Sequence, residues 1–226
     1  MLMEQGTLYM TATPIGNLGD MTFRAVEVLK SCDIIYCEDT RQTGKLLKAY
    51  SIDVRMKALN EHAKDAAIQG AVKIILEGAD AAFVSDSGTP GVSDPGGRLV
   101  SAAREAGIKT VPLPGPSALA AVISVCGYPA KRVLFAGFLS KKEGRRVKEL
   151  ESFRDSEALI VLYESPYRIR KLLASISKVY PEARLFIGRE MTKRFEEFIE
   201  GNVIELLESE EFVKEKGEFT VVINPL

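Results

Sequence analysis

Ala81-Ala82-Phe83-Val84-Ser85-Asp86-Ser87-Gly88-Thr89-Pro90-Gly91 runs from an apolar segment of strand length straight into a loop of glycine, proline and small hydroxyl residues. The same grammar appears twice more. Leu8-Tyr9-Met10 leads into Thr13-Pro14-Ile15-Gly16-Asn17, and Thr110-Val111 leads into Pro112-Leu113-Pro114-Gly115-Pro116-Ser117. Glycine lets backbone approach a ligand where a Cβ would obstruct it. In open α/β sheets ligands bind beyond the carboxyl ends of the strands, so loops of this composition at those positions predict a small-molecule site.

Outward from these loops, strand-like runs alternate with helical stripes. Ile34-Ile35-Tyr36 is a further short apolar run, while Ile68, Ala71, Val72 and Ile75 fall at helical spacing. Leu99, Ala102, Ala103 and Ala106 form another stripe, preceded by Asp94-Pro95, read as an N-cap and first-turn proline, and ended by Gly107. Ser165-Pro166 is read as the start of a helix carrying Ile169, Leu172, Leu173 and Ile176, with Pro181 just past its end. This alternation predicts an α/β fold with a parallel sheet. Gly127-Tyr128-Pro129-Ala130 is the clearest break, giving domains at residues 1–127 and 128–226. Strands near Ala158–Tyr163, Leu185–Gly188 and Phe219–Ile223 make the second domain α/β too, with some antiparallel pairing expected.

Composition narrows the function classes. The 226 residues are 46% hydrophobic, ample for packed cores, yet the longest apolar runs, such as Leu159–Leu162, are far too short to span a bilayer. The first residues lack the charge and apolar pattern of a signal peptide, so a cytoplasmic location is expected. Cys32, Cys37 and Cys126 with the lone His62 offer no four-ligand zinc set, and buried free thiols are expected. The net charge of −1 does not announce a nucleic-acid binder. Positive charge is instead local, at Lys131-Arg132, around Lys141, Lys142, Arg145 and Arg146, and at Arg168, Arg170 and Lys171; such runs also suit an ordinary solvated face.

No G-x-G-x-x-G follows the first strand and no P-loop occurs, which weakens dinucleotide and nucleoside-triphosphate readings. Asp86 directly follows a buried strand, where a carboxylate needs donors or a ligand, or else closes an Asx turn. Ser117 divides between capping a helix and facing a ligand. Three polar clusters also follow strand-like runs: Glu38-Asp39-Thr40-Arg41, Tyr163-Glu164-Ser165, and Arg189-Glu190-Met191-Thr192-Lys193. They suit a polar substrate cleft; capping and interstrand ion pairs are the structural alternative.

In this order, Leu8–Asp20, Glu38–Arg41, Val84–Pro90 with Asp94-Pro95-Gly96, Pro112–Leu119, Gly137-Phe138-Leu139, Tyr163–Pro166 and Arg189–Lys193 resemble the 16S ribosomal RNA (cytidine-2′-O)-methyltransferase family over nearly the whole chain. The resemblance implies the two-domain tetrapyrrole-methylase (class III methyltransferase) fold, S-adenosylmethionine in the interdomain cleft, and a homodimer acting on a decoding-centre cytidine of 16S rRNA in the small ribosomal subunit. Under it, Pro14, Ile15, Gly16, Asp86, Gly88, Thr89, Gly115, Ser117, Ala118 and Tyr163 are expected to bind the cofactor. Glu38, Asp39 and Glu164 are the candidate proton acceptors, since His62 lies away from these motifs, and water is the alternative acceptor. Arg41, Lys141, Lys142, Arg145, Arg146, Arg189 and Lys193 are expected to hold RNA, and no metal is implied.

Two features depart from the pattern. Tyr167 stands where many relatives have histidine, and many relatives continue beyond the segment that here ends at Leu226, so subunit docking is expected to rest on the core domains. Methylation of a small molecule or of a translation-factor residue, and a non-catalytic cofactor-binding module, are the alternatives.

Overall fold

The computed structural model describes residues 5–209 and 216–225. The chain divides into two units, Met1–Ser117 and Ala118–Leu226. The division falls earlier than the break at Gly127–Ala130 because the helix Ala118–Val125 packs against the last strand of the second unit.

The first unit runs β1 (Thr7–Thr11), α1 (Phe23–Ser31), β2 (Ile34–Cys37), α2 (Thr40–Ala49), β3 (Met56–Ala58), α3 (Asp65–Leu76), β4 (Ala81–Val84), α4 (Gly97–Glu105) and β5 (Lys109–Leu113). The strands are all parallel, in the order β3-β2-β4-β1-β5. Strands β2 and β4 are buried at every residue, as a sheet covered on both faces requires. Their alternation assigns the faces. Ile34, Tyr36, Ala81 and Phe83 pack with α3 and α4, whereas Ile35, Cys37, Ala82 and Val84 pack with α1 and α2. The stripe Ile68, Ala71, Val72 and Ile75 is buried as its spacing predicts.

This arrangement creates the site. The helices after β1 and β2 lie on one face and the helix after β4 on the other, so crevices open at the carboxyl ends on both sides of β4.

The second unit runs α5 (Ala118–Val125), β6 (Val133–Gly137), α6 (Glu143–Glu151), β7 (Leu159–Glu164), α7 (Ile169–Val179), β8 (Arg184–Arg189), β9 (Glu197–Asn202), α8 (Val203–Glu208) and β10 (Phe219–Asn224). Its strand order is β6-β7-β10-β8-β9. Only β6 and β7 pair parallel; β10 runs antiparallel to β7 and β8, and β8 antiparallel to β9. Leu172, Leu173 and Ile176 of α7 and Val221 and Ile223 of β10 share one core. Helix α7 starts at Ile169, so Ser165-Pro166 forms the turn before it and not its first residues. All three cysteines are free and buried.

Candidate active site

The three glycine-proline loops of the first unit are tied together by their own backbone. Thr13 N donates to Gly88 O at 2.8 Å and Gly88 N to Thr13 O at 3.0 Å, forming a bridge between the loops after β1 and β4. Ala12 N donates to Leu113 O at 3.2 Å, and Thr89 Oγ1 donates to Pro116 O at 3.0 Å, which brings in the loop after β5. Ser85 Oγ reaches Gly88 O at 3.2 Å inside the turn. Gly88 adopts φ +81°, and a Cβ there would meet Ile15 Cγ2 at 3.4 Å and Pro116 O at 3.7 Å. At Gly115 a Cβ would lie 3.0 Å from the Cβ of Ala12. Glycine is called for at the first position by its positive φ and at the second by the closeness of Ala12.

Carboxylates gather beside this cradle at the ends of β2 and β4. Asp86 Oδ1 accepts from Asp39 N at 3.2 Å, joining the two strand ends. Asp39 itself caps α2, its Oδ1 accepting from Arg41 N at 2.7 Å. Burial, followed by the charges of Asp86, Glu61 and Asp39, raises the Glu38 carboxyl above the ordinary range. Burial also raises Asp86, against the bond from Asp39 N. Asp94 is the most perturbed: burial and then the charge of Glu38 push it up to about 6, with a hydrogen bond to Ser85 acting the other way. A carboxyl so placed takes a proton near neutral pH.

Asp94 corrects the sequence reading. Gly96, at φ +125°, occupies the N-cap position of α4, and the Asp94 carboxyl joins the acidic group instead. A pocket of about 260 Å³ opens beside it, lined also by Asn60, Glu61, Phe83 and Arg98. The available signal was the location of Asp94 in the same glycine-proline segment as Asp86; its adjacency to Pro95 favoured the cap. His62 lies in a turn before α3, with its backbone N–H bonded to Asn60 Oδ1, and Arg41 is exposed in the first turn of α2.

In the second unit, Tyr163 lies on β7, where its hydroxyl accepts from Leu119 N at 3.2 Å, next to Ala118 at the start of α5. Glu164 is 3% exposed and both oxygens are engaged, one by Arg168 Nη2 at 3.0 Å and the other by Ser165 N at 2.8 Å. It anchors the turn after β7 through these two bonds.

The basic residues separate sharply. Lys141, Lys142 and Arg145 are exposed around the start of α6. Arg146 is buried: its guanidinium donates to Ser175 Oγ at 2.9 Å and to the carbonyls of Ser140, Lys141 and Lys171 at 3.2–3.3 Å. Arg189 is likewise buried, donating to Glu197 at 2.7 Å and Lys216 O at 3.1 Å. Lys193 bonds Glu190 and Glu218, each at 2.9 Å. The expected RNA contacts at Arg146, Arg189 and Lys193 therefore give way to internal pairing.

Residues 7–207 match the family model of Tetrapyrrole (Corrin/Porphyrin) Methylases, which places the chain in that class. A protein of Leptospira biflexa named ribosomal RNA small subunit methyltransferase I is 42% identical over 222 residues, 98% of this chain and 92% of that one. Its namesake from Borrelia garinii subsp. bavariensis is 45% identical over 219 residues, 96% and 98% of the two chains. The namesake from Bacillus subtilis is 37% identical over 97% of this chain and 75% of its own. The chain belongs to the ribosomal RNA small subunit methyltransferase I family. A crystal structure of uroporphyrin-III-C-methyltransferase from Thermus thermophilus shares the fold, with TM-score 0.68 and 20% identity over 96% of this chain and 94% of that one.

The chain is thus a methyltransferase, and S-adenosylmethionine is its methyl donor. The first unit fits that group. Its three loops converge on the positive-φ Gly88, and the Asp86 carboxylate beside them suits a cationic donor with hydroxyls and an ammonium group.

Proposed function

We propose that this protein methylates the 2′-hydroxyl of a cytidine in the decoding centre of 16S rRNA, working on the small ribosomal subunit in the cytoplasm as a homodimer. Similarity to proteins named ribosomal RNA small subunit methyltransferase I, along nearly the full length of two of them, carries the choice of substrate. Among the described residues no helix is long and apolar enough to cross a membrane.

S-adenosylmethionine supplies, when bound, a methyl carbon attached to a sulfonium leaving group. The residues of Thr13–Gly16, Asp86–Thr89 and Gly115–Ser117 hold it by backbone and short side chains. What remains for the protein is to bring the ribose oxygen in line and to remove its proton. Glu38 and Asp94 perform the second task, because burial and the charge of neighbouring carboxylates keep both receptive to a proton. Asp39 supports them through its cap on α2 and its N–H bond to Asp86.

The test is transfer of labelled methyl from S-adenosylmethionine to isolated small subunits, followed by mass-spectrometric mapping of the modified nucleotide. Label on a decoding-centre cytidine ribose is expected; label on a base, or none in 16S rRNA, defeats the proposal. Glu38→Gln should slow single-turnover transfer while cofactor affinity holds, and a parent rate in both Glu38→Gln and Asp94→Asn removes the carboxylates from the chemistry.

A further inference from the structure

Two of the exposed aromatic side chains of the second unit flank neighbouring strand ends and have no role in the reading above: Tyr167 is 83% exposed and Phe138 is 57% exposed. Strands β6 and β7 are parallel neighbours, so the loops that leave their carboxyl ends share one edge of the sheet. Phe138 directly follows Gly137, the last residue of β6, and Tyr167 lies just past Glu164, the last of β7. Arg168 locks these loops together. Its Nη2 donates to Leu139 O at 2.6 Å and to Glu164 Oε2 at 3.0 Å, so each end of the link adjoins one aromatic residue. The Phe138 ring is steadied by an edge contact with Tyr163, centroids 5.8 Å apart, itself backed by Phe135 at 4.9 Å. The chain then leads from Phe138 into the exposed cations Lys141, Lys142 and Arg145.

Exposed aromatic surface on tethered loops, beside unburied cations, is what unpaired RNA requires: bases stack on rings, and phosphates meet positive charge. We infer that Phe138 and Tyr167 form a stacking platform for unpaired nucleobases of the RNA substrate, with Lys141, Lys142 and Arg145 holding the flanking phosphates. The inference rests on the rRNA reading and names the contacts by which this unit holds its substrate.

The chain contains no tryptophan, so Phe138→Trp or Tyr167→Trp creates a sole indole reporter. Either variant is titrated with a short unpaired oligoribonucleotide and with inorganic polyphosphate, which carries charge without bases. Quenching by the oligoribonucleotide alone is expected. Tyr167→Ala and Phe138→Ala should each weaken oligoribonucleotide binding by about tenfold, Tyr167→Phe should keep parent affinity, and Tyr167→Ala should leave cofactor affinity unchanged. The platform is overturned if RNA binds by anisotropy without changing the indole signal, or if polyphosphate quenches equally. It is also overturned if Tyr167→Ala alters the oligomeric state, which assigns the surface to a second copy of the chain. Quenching without methyl transfer to small subunits keeps the platform and defeats the proposed function; methyl transfer by the parent without quenching does the reverse.

Discussion

Replacing Asp94 by asparagine should stabilise the protein at neutral pH and leave its stability unchanged in acid. The carboxyl stands at about 6 against an ordinary 3.8, first through burial and then through the charge of Glu38. Unfolding returns it to the ordinary value. Between these values the native state holds the proton that the unfolded chain has lost, so stability falls as pH rises, and the penalty is complete above about 6. The gap corresponds to roughly 3 kcal/mol, and solvent reaching this half-buried group reduces it to about 1–2 kcal/mol. The amide keeps the shape and can still accept from Ser85 but never ionises. At roughly 2–4 °C per kcal/mol for a chain of this length, the melting midpoint at pH 7.5 should rise by about 2–8 °C. Paired thermal melts of parent and variant near pH 4 and pH 7.5 check this. A variant that melts below the parent at pH 7.5, or a gap of equal size at both values, refutes the reasoning. The same variant should lose methyl transfer, since a strained carboxyl retained at a cost in stability is one that the chemistry uses.

Gly88→Val forces a branched side chain to φ +81° beside Ile15, and should cost about 1–2 kcal/mol of stability while weakening calorimetric S-adenosylmethionine binding at least tenfold. Gly115→Val should act similarly by crowding Ala12, and parent affinity in both folded variants would remove the cofactor from these loops. Arg146→Ala should destabilise by about 2–3 kcal/mol in denaturant melts, because it strips the donor from buried Ser175 Oγ and from the part-buried carbonyls of Ser140, Lys141 and Lys171. Replacing Lys141, Lys142 and Arg145 together should barely move stability, yet flatten the slope of log RNA affinity against log salt by up to about 2; an unchanged slope returns these residues to plain solvated surface.

Much of the fold was legible because strand runs, helical stripes and turn residues are local signals. Ala81–Val84, the α3 stripe and the three glycine-proline loops stand where periodicity and turn chemistry put them. Strand β3 escaped notice because Met56-Lys57-Ala58 lies exposed at the sheet edge, where nothing demands an apolar run. Strand β9 is a mixed Glu-Phe-Ile-Glu-Gly-Asn segment whose pairing comes entirely from β8.

The sequence by itself determined the α/β class, the glycine-proline loops after the strands, and the carboxylates at the strand ends, since each depends on residue type and short spacing. Only the tertiary structure decided which charged groups remain available. Arg145 and Arg146 are neighbours on one helix, yet one meets water while the other is buried among carbonyls. Glu164 and Arg189 were drawn into ion pairs, and Asp94 was drawn out of a cap and into the acidic group. The cost of burying a charge, and the partners that offset it, belong to the space around a side chain, and distant segments of the chain build that space.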